Sequence, residues 1–156
     1  MARKKINYDI GNVISVANDD GQQLALCRIE GMDKKGAVIG RFFWKGEEID
    51  DARVRLIGDS FLWIFGDLHI VDGKWPIVGV DDNFVLKPDV IFGFLNSVPI
   101  RDQSWIAYRD IRVKEIESVK LLDAEKPIFT SNSAKGAKFV EIRLKQILEG
   151  LKTPFD

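Results

Sequence analysis

Few side chains in this sequence are equipped for chemistry. There is one histidine, His69, and one cysteine, Cys27. Any nucleophile-histidine-acid arrangement would have to use His69, whose charge changes near neutral pH. Its setting, Asp67-Leu68-His69-Ile70, reads as an ordinary strand, and no serine lies in a Gly-x-Ser-x-Gly elbow. Cys27 lies among Leu24, Ala25, Leu26 and Ile29, apolar neighbours that raise a thiol pKa, with Arg28 as the one opposing influence. It reads as a small core residue. A single cysteine also excludes an intrachain disulfide and a multi-cysteine metal site, which fits a reducing compartment.

Neither a Walker loop nor a Gly-x-Gly-x-x-Gly turn is present, so nucleotide binding has no motif to rest on. Asn18-Asp19-Asp20-Gly21 has the residue types of a calcium loop but lacks the alternating ligands and the closing glutamate, and it reads as a turn. No cofactor or metal is expected. Carboxylates remain. They cluster as Glu47, Glu48, Asp50 and Asp51 in one polar stretch, with Trp44 at its edge, and as Asp81 and Asp82 in another. Two converging acids suffice for a glycosidase or an aspartic hydrolase. Acid runs at turns more often form a solvated surface, and such a surface suits a basic partner protein.

The elements that must position these groups are mostly strands. Asn12 to Ala17 and Gln22 to Glu30 flank the Asp20-Gly21 turn as a hairpin, and Gly36 to Phe43 adds a third strand of a meander. Trp44 to Arg53 loses its alternation and reads as an exposed loop or short irregular turn. Val54 to Ile57, Phe61 to Phe65 and Leu68 to Val71 are apolar runs. The last leads through Asp72-Gly73 into Trp75 to Val80 as a second hairpin, with Pro76 at an edge or bulge. Val90 to Leu95 and the alternating Ser104 to Val113 supply further strands, and Pro127 with Ser131-Asn132-Ser133 marks a change of structure.

One segment has helical periodicity. Val140, Leu144, Ile147, Leu148 and Leu151 form a stripe along Ala137 to Glu149, and Gly150 supplies the stop. The expected fold is therefore α+β and β-rich: a strongly bent antiparallel sheet or partial barrel of six to eight strands, with one C-terminal amphipathic helix. The 156 residues suit a single domain, 1–156, with 1–7 as a frayed N-terminal tail carrying Arg3, Lys4 and Lys5.

Twenty-three basic residues against 24 acidic ones give a formal charge of -1, which counts against nucleic acid as a partner. No apolar core follows the N-terminal basic residues. The longest apolar run, Phe61 to Phe65, is far below the roughly 20 residues of a membrane helix. The expectation is a cytoplasmic protein with no membrane partner.

Tyr8-Asp9-Ile10-Gly11-Asn12-Val13-Ile14-Ser15-Val16, the Asp20-Gly21 turn, Cys27-Arg28-Ile29 and Gly73-Lys74-Trp75-Pro76-Ile77-Val78-Gly79 together resemble the immunity protein 26 family of bacterial polymorphic toxin systems. The Gly-x-Trp-Pro-Ile-x-Gly segment is the most distinctive part. The resemblance implies a small cytoplasmic β-rich protein that binds and neutralises a cognate toxin without chemistry of its own. It carries over no toxin-contacting residues, so the candidate surface rests on charge and aromatic placement: Trp44, Glu47, Glu48, Asp50 and Asp51 first, then Asp81 and Asp82. The competing readings are a small β-barrel module recognising a peptide or RNA and a carboxylate-dependent hydrolase.

Overall fold

A computed structural model describes residues 5–96, 99, 101–122 and 128–156. Arg3, Lys4 and Pro127, which the sequence singles out, lie outside the described residues. The strands are β1 (Asn12–Ala17), β2 (Gln23–Met32), β3 (Ala37–Asp50), β4 (Arg53–Gly66), β5 (Ile77–Asp81), β6 (Phe92–Leu95), β7 (Trp105–Arg109) and β8 (Glu115–Lys120). Two helices, α1 (Leu68–Val71) and α2 (Ala137–Leu148), complete the described elements. Strands β1 to β5 close a barrel, and β6, β7 and β8 form a separate three-stranded sheet.

The antiparallel meander β1-β2-β3-β4 follows from the turns. At the first, Asn18 Oδ1 accepts from the amides of Asp20 and Gln22 at 3.1 and 3.0 Å, an Asx-type bond that fixes the reversal. Strand β5 then closes the barrel, antiparallel to β1 and parallel to β4. The expected bent sheet or partial barrel is thus present as a closed five-stranded barrel, with β4-β5 as its parallel pairing, while the expected hairpin across Asp72-Gly73 is corrected here. The chain turns through α1, and β5 pairs with strands remote in sequence. Its approach to the Ala52 carbonyl is close: a Cβ on Gly79 would lie 2.8 Å from that oxygen, so glycine is required there.

The barrel interior is aromatic. Phe42, Phe61, Trp63 and Phe65 come from facing positions of β3 and β4, and ring centroids of Phe61 and Trp63 are 4.8 Å apart in an edge-on arrangement. Such pairs contribute about 0.5–1.5 kcal/mol each beyond burial. Trp75 plugs one side of this core, fully buried, with its Nε1 donating to the Ala17 carbonyl at 3.1 Å. The distinctive Gly73 to Gly79 segment thus has a structural task, since it carries the chain from α1 into the barrel-closing strand.

Ala137, Val140 and Leu144 of α2 pack onto the same core. Leu148 and Leu151, expected on that stripe, are 48% and 67% exposed because the stripe rotates off the barrel as the helix ends. The second sheet covers the outer face of β3 and β4, where Ile39 and Ile64 meet Phe92, Phe94 and Val113. Strand β7 stops at Arg109, earlier than the alternation to Val113 suggests, because Asp110–Val113 turns with Val113 at φ 64°. The Ile6 amide donates to the Val71 carbonyl at 3.0 Å. No helix among the described residues is long and apolar enough to cross a membrane.

Candidate functional site

The stretch expected as a loop is a β-arm. Strand β3 continues past the core through Trp44 to Asp50 and β4 returns from Arg53, with Glu47 opposite Arg55, Glu48 opposite Val54 and Asp50 opposite Arg53. Two residues, Asp51 and Ala52, make the tip, where the Ala52 amide donates to Asp50 Oδ1 at 3.1 Å. Glu47, Glu48, Asp50 and Asp51 are all exposed. Trp44 is half-buried at the base, its ring 5.6 Å from that of Phe61, so most of its apolar surface already serves the core.

The cross-strand register would let the arm neutralise itself, because arginines face acids. It does not. Arg53 and Arg55 both turn to Asp82 instead, Arg55 with its Nη2 3.5 Å from the carboxylate and Arg53 closer. Among the described residues Glu47, Glu48, Asp50 and Asp51 therefore have no ion-pair partner. Beside them, a shallow hollow of about 420 Å³ is lined by Gln23, Leu26, Gly46, Glu48, Val54 and Val78. The arm thus offers unpaired carboxylates next to an apolar surface.

Asp81 and Asp82 do not form a second exposed acidic patch. Asp81 is 4% exposed and its Oδ2 lies 2.5 Å from Arg28 Nη1. Arg28 also donates from Nε and Nη2 to Glu30 Oε2, at 3.1 and 2.9 Å, and its guanidinium stacks over Phe84 at 4.7 Å. Arg41 Nε reaches the same Glu30 oxygen at 2.7 Å. Burial made these pairings necessary, since an unpaired charge inside a protein is strongly destabilising. Asp82 is held by the two arm arginines.

His69 sits on α1, not on a strand. Only Ile70 of that single turn enters the core. The imidazole lies between two carboxylates, Nδ1 at 3.0 Å from Asp72 Oδ2 and Nε2 at 3.5 Å from Glu141 Oε2, with the Trp75 ring edge-on at 5.4 Å. Glu141 is 3% exposed on α2, accepts from Trp75 Nε1 at 3.3 Å and has Lys74 Nζ at 3.6 Å. Asp19 bonds both Lys74 and Lys138, which hold its carboxyl down to about 2. Asp72 is likewise lowered: burial opposes ionisation, and the Lys74 amide, the His69 bond and nearby positive charge outweigh it. A general acid needs the opposite shift. The alternating charges tie α2 to α1 and to the β1-β2 turn.

Cys27 is fully buried, and burial, reinforced by Glu30, pushes its thiol well up despite the opposing effect of Arg28. That is an inert environment. Glu30 and Glu141 are the functional-looking groups that sequence reasoning passed over. Glu141 had a legible signal: it falls between Ala137 and Leu144 at helical spacing, on the face that packs inward. Glu30 sits at the polar end of an apolar strand and gave no comparable sign.

The chain matches no family model, no curated protein sequence and no solved structure.

Proposed function

We propose that this protein is a non-enzymatic, cytoplasmic binder of a basic protein partner, and specifically an immunity protein that neutralises a cognate bacterial toxin. One observation carries this reading: Glu47, Glu48, Asp50 and Asp51 are exposed on a projecting arm while its arginines are drawn away by Asp82. Unpaired carboxylates steer a basic surface into contact and raise the association rate. The adjoining hollow, walled by Leu26, Val54 and Val78, suits an apolar residue flanked by lysine or arginine on the partner. The toxin-neutralising role rests on the Tyr8 to Gly79 resemblance.

The buried tryptophans Trp63 and Trp75 count against an RNA-stacking module, because neither ring is available to a base. The test is recovery of the tagged protein from its native cell together with its partner. A single stoichiometric basic protein is expected, released by salt and toxic when expressed without this chain. Recovery of the protein alone, or with nucleic acid, would overturn the proposal.

A further inference from the structure

An open hollow at the start of α2 holds the Lys135 amine, which has no ion-pair partner among the described residues. It measures about 300 Å³, and its walls include Ser131, Ser133, Lys135, Phe139 and Asp156. Ser131 and Ser133 join hydroxyls at 2.8 Å, and Lys135 Nζ reaches the Ser133 carbonyl at 3.4 Å. The ammonium lies 5.5 Å from the centroid of the Trp63 ring. Among the described residues no carboxylate forms an ion pair with Lys135.

Several features oppose a positive charge at this position. Lys135 directly precedes Gly136, the N-cap of α2, which makes no side-chain capping bond, and the positive end of the helix dipole therefore faces this neighbourhood. Arg143, on the same helix, adds a cation. The Trp63 ring and the Ser133 carbonyl favour the ammonium form, and Asp156 lines the same hollow without forming an ion pair with it. Burial is the largest influence and outweighs them: with Arg143 it holds the Lys135 amine down to about 8, so a substantial neutral fraction exists near neutral pH.

We propose that Lys135 is a nucleophilic amine and that its cavity captures small aldehydes as imines. A desolvated lysine beside a second cation is the usual arrangement for such a nucleophile. The neutral Nζ lone pair attacks the aldehyde carbon, and a proton passes from nitrogen to the former carbonyl oxygen. Water then leaves as the C=N bond forms. No oxidant or reductant is consumed. Ser131 and Ser133 line the same cavity and supply hydroxyls for the oxygen as it changes from carbonyl to hydroxyl, and Phe139 offers an apolar wall to the aldehyde's chain. No residue of the acidic arm lines this cavity, so the proposal is independent of the binding role.

The test is reductive trapping of the full chain with butanal and cyanoborohydride, read by peptide mass mapping. At pH 7, Lys135 is expected to react about tenfold or more faster than the exposed Lys34 and Lys45, with a rate profile that breaks near 8. Arg143→Gln is expected to move that break upward, because it removes the neighbouring cation that disfavours the ammonium form. Equal labelling of the three lysines, preference for another lysine or an unmoved break would overturn the assignment.

Discussion

Arg28 Nη1 and Asp81 Oδ2 are 2.5 Å apart, joining β2 to the end of β5 across β1. The bond pins the barrel-closing strand from outside while Trp75 pins it from within. Asp81→Asn leaves Arg28 largely buried beside a neutral group. Its expected cost is about 2–4 kcal/mol in urea unfolding. Asp82→Asn, whose arginine partners are half-exposed, is expected to cost under about 1 kcal/mol. Equal effects at the two positions would contradict the distinction drawn between them.

Gly40 faces Cys27 and Phe65 in the barrel interior, and a Cβ there would overlap the Cys27 sulfur and lie 2.6 Å from Phe65 Cε1. Neither neighbour is a flexible chain end. Gly40→Ala is expected to lower stability by about 1–3 kcal/mol through overpacking. The same variant should make Cys27 react measurably with a thiol reagent, whereas the native thiol reacts only on unfolding. An unchanged unfolding midpoint would show that the interior has slack the packing does not suggest.

The Asp19 bonds to Lys74 and Lys138 predict a pH signature. The folded carboxyl titrates at about 2 and the ordinary value is 3.8, so ionised Asp19 stabilises the fold above the ordinary value. That contribution is lost as pH falls from 3.8 toward 2. The stability difference between the natural chain and Asp19→Asn should therefore be constant from pH 5 upward, shrink as pH falls through 3.8 toward 2, and vanish below it. A difference that grows on acidification has the wrong sign for this account.

The β1-β2-β3 meander and the position of α2 were legible because burial wrote alternation and a helical stripe into the residues. The arm was not. Lys45, Glu47 and Glu48 are exposed together, so burial imposed no alternation and the strand is held by pairing with β4 alone. Leu68 to Val71 reads as a strand from its β-branched and apolar residues, yet only Ile70 is buried, and the turn is stabilised by the Asp67 carbonyl accepting from the Ile70 and Val71 amides. The acidic cluster on the arm could be read from composition. That Asp81 is consumed by Arg28 depends on a contact between residues far apart in sequence, which no local pattern records.

The binding account is tested most directly by the salt dependence of partner association for the natural chain and for Glu47→Lys, Glu48→Lys, Asp50→Lys and Asp51→Lys combined. These exposed positions should leave the unfolding midpoint nearly unchanged. Association of the natural chain should slow steeply as salt rises, and the variant should associate at least about tenfold more slowly at low salt, with little salt response. Identical rates and identical salt dependence for the two chains would contradict the acidic arm as the binding surface.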